Sequence, residues 1–169
     1  MINYGRQFID DEDIQAVVDT LKSDFLTQGS KVPEFESAVC DRVNAKFAVA
    51  ANSATSALHL ACLAVDLKEG DIVWTAPNTF VASSNCALYC GAKIDFVDID
   101  KDTWNMCPDK LRIKLEESKQ KNLLPKVVIP VHFSGQPTIQ EEIYKLSKEY
   151  NFIIIEDASH SIGSSRNNE

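Results

Sequence analysis

The residues best suited to chemistry stand at 156–160, where Phe152-Ile153-Ile154-Ile155 runs straight into Glu156-Asp157-Ala158-Ser159-His160. An apolar run without polar alternation predicts a strand buried on both faces of a parallel sheet. Ligands of such sheets bind outside the carboxyl ends of the strands. Asp157 is therefore expected at the rim, aiming a buried negative charge into the crevice. A tight turn would bring His160 toward the same ligand. Taken alone, Glu156-Asp157 could equally just close the strand and cap the next turn.

Other strand ends offer complementary groups. In Asn52-Ser53-Ala54-Thr55-Ser56-Ala57, small residues let a ligand approach the backbone. The free N–H groups of the following helix start form an anion site there, and hydroxyls add further donors. A plain Ser/Thr N-cap is the competing reading. Thr79-Phe80-Val81-Ala82-Ser83-Ser84-Asn85 places an aromatic at a strand-to-helix junction, either as core or as a plate for a planar ring. Pro130-Val131-His132-Phe133-Ser134-Gly135-Gln136 adds a polar edge, with His132 read as a structural histidine. Neither a G-x-G-x-x-G nor a G-x-x-x-x-G-K-[ST] motif is present. A phosphate cradle, an aromatic plate, a polar edge and a buried carboxylate together meet the needs of pyridoxal 5′-phosphate. Its phosphate takes N–H and hydroxyl donors, its ring takes a stacking face, and its ring nitrogen takes an anionic partner.

The elements that would hold these groups alternate along the chain. Asp10 predicts an N-cap for a helix with an Ile14, Val17, Val18, Leu21 stripe. Phe25 to Ser30 breaks the periodicity, and a second helix runs through Phe35, Val39 and Val43. Strands are expected at 47–51, 72–74, 94–97, 127–131 and 152–155. Helices are expected from the Asn52–Ser56 stretch to about Leu67, with Gly70 at C′, and over 79–89, 108–121 and 139–150. Strands separated by helices imply α/β architecture: a mostly parallel central sheet with helices on both faces.

Composition sets the class. The 169 residues are enough for a real core, and the net charge of -8 leaves no basic surface for nucleic acid. No apolar run approaches the ~20 residues of a membrane span, and the start shows no signal-peptide pattern. Five cysteines without a C-x-x-C pair point to buried free thiols in a reducing cytoplasm.

Several stretches carry a resemblance: Tyr4-Gly5-Arg6-Gln7, Leu26-Thr27-Gln28-Gly29, Phe35-Glu36, Asn52 to His59, Thr79-Phe80-Val81-Ala82-Ser83, Phe96-Val97-Asp98-Ile99-Asp100, His132-Phe133-Ser134-Gly135-Gln136 and Glu156 to Gly163. On these the chain resembles the DegT-type sugar aminotransferases, fold-type I pyridoxal-phosphate enzymes, over nearly its whole length. Within the family it is most similar to the pseudaminic acid branch, with perosamine-type 4-aminotransferases close behind. The resemblance implies transfer of an amino group, with glutamate as donor, to a UDP- or other nucleotide-linked keto sugar, by a cytoplasmic homodimer.

By the same resemblance, Ala54 and Thr55 would bind the cofactor phosphate, and Phe80 would stack on the ring where other members have tryptophan. Asp157 would pair with the ring nitrogen and His160 would lie beside the ring. Tyr4 and the segment Asp24, Phe25, Leu26, Thr27 would contact the nucleotide sugar. Residues 1–30 would form an N-terminal helix and substrate loop, and 31–169 the helix/strand core of a partial cofactor-binding large domain. The family's Schiff-base lysine follows the Gly163 region, and no lysine here sits at a matching position. The chain is thus expected to be part of a longer enzyme and inactive alone. Two alternatives remain at this point: a pyridoxal-phosphate sugar dehydratase, in which histidine replaces that lysine, and a non-catalytic phosphate-binding domain.

Overall fold

The computed structural model describes residues 5–165, in two units that meet at Ala50–Ala51. Each unit is taken by itself. In the first, α1 (Asp11–Lys22) opens with a capping box: the Asp10 carboxylate accepts from the Glu12 and Asp13 amides, and the Asp13 carboxylate accepts from the Asp10 amide. This uses the amides that a helix start leaves without partners. The apolar stripe of α1 stays exposed, with Ile14 at 55%, Val17 at 61% and Leu21 at 65%. Helix α2 (Lys31–Val43) ends on Asn44, whose φ of 50° is left-handed. The expected strand at 47–51 does not form. The Ala50 amide instead donates to the Glu36 carboxylate at 2.8 Å, so its hydrogen bond goes to a side chain rather than to a ladder.

The second unit is the α/β body. Its elements are α3 (Ala54–Ala64), β1 (Ile72–Thr75), α4 (Ala82–Tyr89), β2 (Lys93–Phe96), α5 (Pro108–Gln120), β3 (Val127–Ile129), α6 (Gln140–Tyr150) and β4 (Ile153–Ile154). The strands pair in parallel in the order β2-β1-β3-β4. Alternation along the strands builds two cores. Trp74 and Val128 face a layer with Leu111 and Leu115 of α5 and Ile143 and Leu146 of α6. Val73, Val127 and Ile129 face the other, with Leu58 and Cys62 of α3 and Cys86 of α4. Helices therefore cover both faces, as the strand–helix alternation implies. The five thiols are free, with Cys62 and Cys86 buried.

Three local expectations are corrected. The strand buried on both faces is β3, all three of whose residues are buried; β4 lies at the end of the strand order and leaves Ile153 40% exposed. Gly70 does not cap α3. Asp66 takes the left-handed position at φ 53°, its amide donates to Leu63 O and the Leu67 amide to Cys62 O. Leu67 is buried, which completes a Schellman ending without glycine. Finally, α4 starts at Ala82 rather than Thr79, so residues 79–81 form the turn between β1 and the helix.

Candidate active site at the strand rim

The chain leaves β1 for α4 and leaves β3 for α6. These helices lie on opposite faces of the sheet. Adjacent parallel strands whose connections diverge open a crevice at their carboxyl ends. Phe80 follows β1, His132 follows β3 and Asp157 follows β4.

Asp157 is fixed from both its backbone and its side chain. Its amide donates to Pro130 O at 2.9 Å and its carbonyl accepts from the His132 amide at 3.1 Å, a parallel bridge between Val131 and Asp157 that extends the β3–β4 ladder past the strands. The residue is only 7% exposed. One carboxylate oxygen accepts from the buried Ser83 hydroxyl at 2.6 Å. The other accepts from the Ser159 hydroxyl at 2.6 Å and the Ser159 amide at 3.3 Å. A carboxylate this buried needs such donors, and Oδ2, which accepts only from Ser83, keeps a lone pair for a ligand.

The other residues singled out in the sequence lie on separate elements. Ser53 is the N-cap of α3 and its hydroxyl accepts from the Ser56 amide. The first-turn amides of Ala54 and Thr55 are left pointing along the helix axis, where an anion is favoured. Phe80 is 74% exposed. That excludes a core role in this unit and leaves its ring free to stack. His160 is exposed and sits in a turn closed by the Ser161 amide on Ala158 O at 2.9 Å. Asp24, Phe25, Leu26 and Thr27 lie in the first unit and are exposed. Tyr4 lies outside the described residues.

His132, expected to be structural, and Asn105, without an expected role, hold the loop after β3. The buried His132 accepts from the Thr138 amide at Nδ1, 3.1 Å away, which leaves the proton on Nε2. That nitrogen faces Glu156 Oε2 across 3.7 Å, a long contact. The His132 ring and then the Gln140 amide hold Glu156 below the usual carboxylate range, against the opposing effect of burial. Asn105, also buried, donates to Gln136 O and Pro137 O and accepts from the Phe133 amide. Ser83 lies in the Thr79–Ser83 stretch that carries the resemblance but has no role assigned there, and Asn105 lies outside every such stretch. The available signal for Ser83 was its place three residues after Phe80, in the first turn of the helix.

Known proteins share this fold. A chain from Campylobacter jejuni subsp. jejuni serotype O:23/36 (strain 81-176), named UDP-4-amino-4,6-dideoxy-N-acetyl-beta-L-altrosamine transaminase, is 44% identical over 164 residues, covering 97% of this chain and 42% of that protein. The Helicobacter pylori aminotransferase PseC, described as involved in the biosynthesis of pseudoaminic acid, superposes with a TM-score of 0.86 at 31% identity, covering 99% of this chain and 44% of that one. A Brucella abortus aminotransferase superposes with a TM-score of 0.88 at 28% identity, covering 92% and 42%. The chain therefore spans roughly two-fifths of the length of the curated relatives it matches. A family model matches residues 7–169, and the chain belongs to the DegT/DnrJ/EryC1/StrS aminotransferase family.

Proposed function

We propose that this chain is the pyridoxal-phosphate-binding part of an enzyme that transfers an amino group from glutamate to the keto group of a nucleotide-linked deoxy sugar. The observation that carries the reading is the Asp157 carboxylate, buried at the strand rim with both oxygens held by hydroxyl donors. The donor set fits the cofactor. The α3 start offers amides and hydroxyls of the kind a phosphate takes, Phe80 offers an uncovered ring face, and Asp157 offers the anion a ring nitrogen takes. When bound, the cofactor supplies an electron sink for the substrate carbanion.

The chain's own residues then have distinct tasks. Ala54 and Thr55 hold the phosphate through the helix start. Phe80 fixes the plane of the ring. Asp157 keeps a proton on the ring nitrogen, and His160 lies beside the ring. Tyr4 and the Asp24–Thr27 segment contact the nucleotide sugar. No lysine of this chain matches the family's position; among those upstream, Lys126 is tied to the Asp71 carboxylate at 2.7 Å, and Lys148 lies over the Tyr144 ring. In this reading residues 1–30 form the N-terminal helix and substrate loop of a larger cytoplasmic homodimer, and 31–169 form its core. Similarity to the Campylobacter transaminase supports a UDP-linked 4-keto sugar as acceptor.

The test is direct. Full-length protein with pyridoxal phosphate, glutamate and a UDP-linked 4-keto-6-deoxy-N-acetylhexosamine is expected to release 2-oxoglutarate in equal amount to the amino sugar formed. Loss of water from the sugar without consumption of glutamate would overturn the reading.

A further inference from the structure

We propose that Ser83 is a positioning residue that aims the Asp157 carboxylate at the cofactor's ring nitrogen; this rests on the reading just given. Ser83 is fully buried, and its one hydroxyl proton has three possible acceptors, the Thr79 hydroxyl at 2.8 Å among them. Phe80 O lies at 3.2 Å and Asp157 Oδ2 at 2.6 Å. The shorter contact is to a charged acceptor, and such bonds are roughly twice as strong as neutral ones, so the proton goes to Asp157. The Ser83 oxygen then accepts from the Thr79 hydroxyl at 2.8 Å, which sets a single direction from Thr79 through Ser83 to the carboxylate.

Ser83 differs from the other hydroxyl on this carboxylate. Ser159 is two residues from Asp157, so its bond is local to the turn. The Ser83 bond spans 74 residues and joins the first turn of α4 to the end of β4. Phe80 precedes that turn, and the Ser83 amide donates to its carbonyl at 3.1 Å. The stacking plate and the brace on the carboxylate therefore belong to one rigid piece of backbone. The distance between the ring plane and the nitrogen's partner is set by that piece, rather than by two independent loops. Without the hydroxyl, Oδ2 loses its donor, and the carboxylate is held by the Ser159 bonds to Oδ1 alone.

The experiment measures non-covalent binding to full-length protein by calorimetry, using pyridoxamine 5′-phosphate and its 1-deaza analogue, in which C–H replaces the ring nitrogen. Ser83→Ala is expected to weaken pyridoxamine phosphate binding about tenfold, the scale of one hydrogen bond to a charged group, and to change binding of the analogue by less than about twofold. Ser83→Thr, which keeps the hydroxyl, restores most of the loss. Ser83→Cys keeps the volume with a weak donor and carries the same comparison if Ser83→Ala folds poorly. Equal losses for both ligands, or no loss for either, would overturn the role of Ser83. Asp157→Ala separates the two levels: if it does not discriminate between the ligands, the assignment of Asp157 itself fails.

Discussion

Replacing Asp157 by Ala is expected to lower kcat/KM of the full-length enzyme by about 10³-fold, in the range reached when a preorganised charge is removed from an active site. The buried site makes the effect large. A ring nitrogen in a water-poor crevice keeps its proton only beside an anion, and a neutral ring is a weaker electron sink. The fold survives for a separate reason. The bonds that tie Asp157 into the sheet, to Pro130 O and from the His132 amide, are main-chain bonds that alanine retains. The Ser83 hydroxyl can turn to Phe80 O, 3.2 Å away. A stability loss of about 1–2 kcal/mol is expected, visible as a small shift in the urea midpoint with unchanged circular dichroism. Wild-type turnover by the variant would remove Asp157 from the mechanism.

Gly135→Ala is expected to destabilise the protein by about 2–4 kcal/mol, from strain and overpacking together. Gly135 has φ +83°, and a Cβ added there would stand 2.7 Å from His160 O. Left-handed backbone alone costs an alanine roughly 1–2 kcal/mol. The clash is with a carbonyl, which cannot rotate away as a side chain can, so the turns at 133–136 and 158–161 must separate. The Ser164 hydroxyl bond to Gly135 O at 2.8 Å would be strained with them. The midpoint of chemical denaturation should fall accordingly, and amide NMR shifts should move at Ala158–Ser161. A midpoint unchanged within error would show that the contact between these turns yields easily.

The site was more legible in the sequence than its supports. Asp157 stands out because an apolar run ends on it, and a charge at a strand end is visible at a glance. Phe80 stands out after a strand, and Ser53 as the cap of a helix start. The brace on Asp157 was hidden because Ser83 lies 74 residues away and serine in a helix start usually caps its own turn. Asn105 was hidden likewise, since its bonds reach Phe133, Gln136 and Pro137 across the fold. The edge placement of β4 could not be read from Phe152–Ile155, because apolar runs mark burial without saying how many neighbours a strand has. The 47–51 segment reads as a strand by composition, yet pairing requires a partner, and the Ala50 amide finds Glu36 instead.

Nitrogen-15 NMR reads directly whether Asp157 holds a proton on the cofactor's ring nitrogen. Full-length protein would be loaded with pyridoxamine 5′-phosphate labelled at the ring nitrogen, at a pH where the free compound has lost its ring proton. A protonated nitrogen is expected in the wild-type complex and an unprotonated one in Asp157→Ala. An unprotonated nitrogen in the wild type, or a protonated one that survives the substitution, would contradict this role of Asp157.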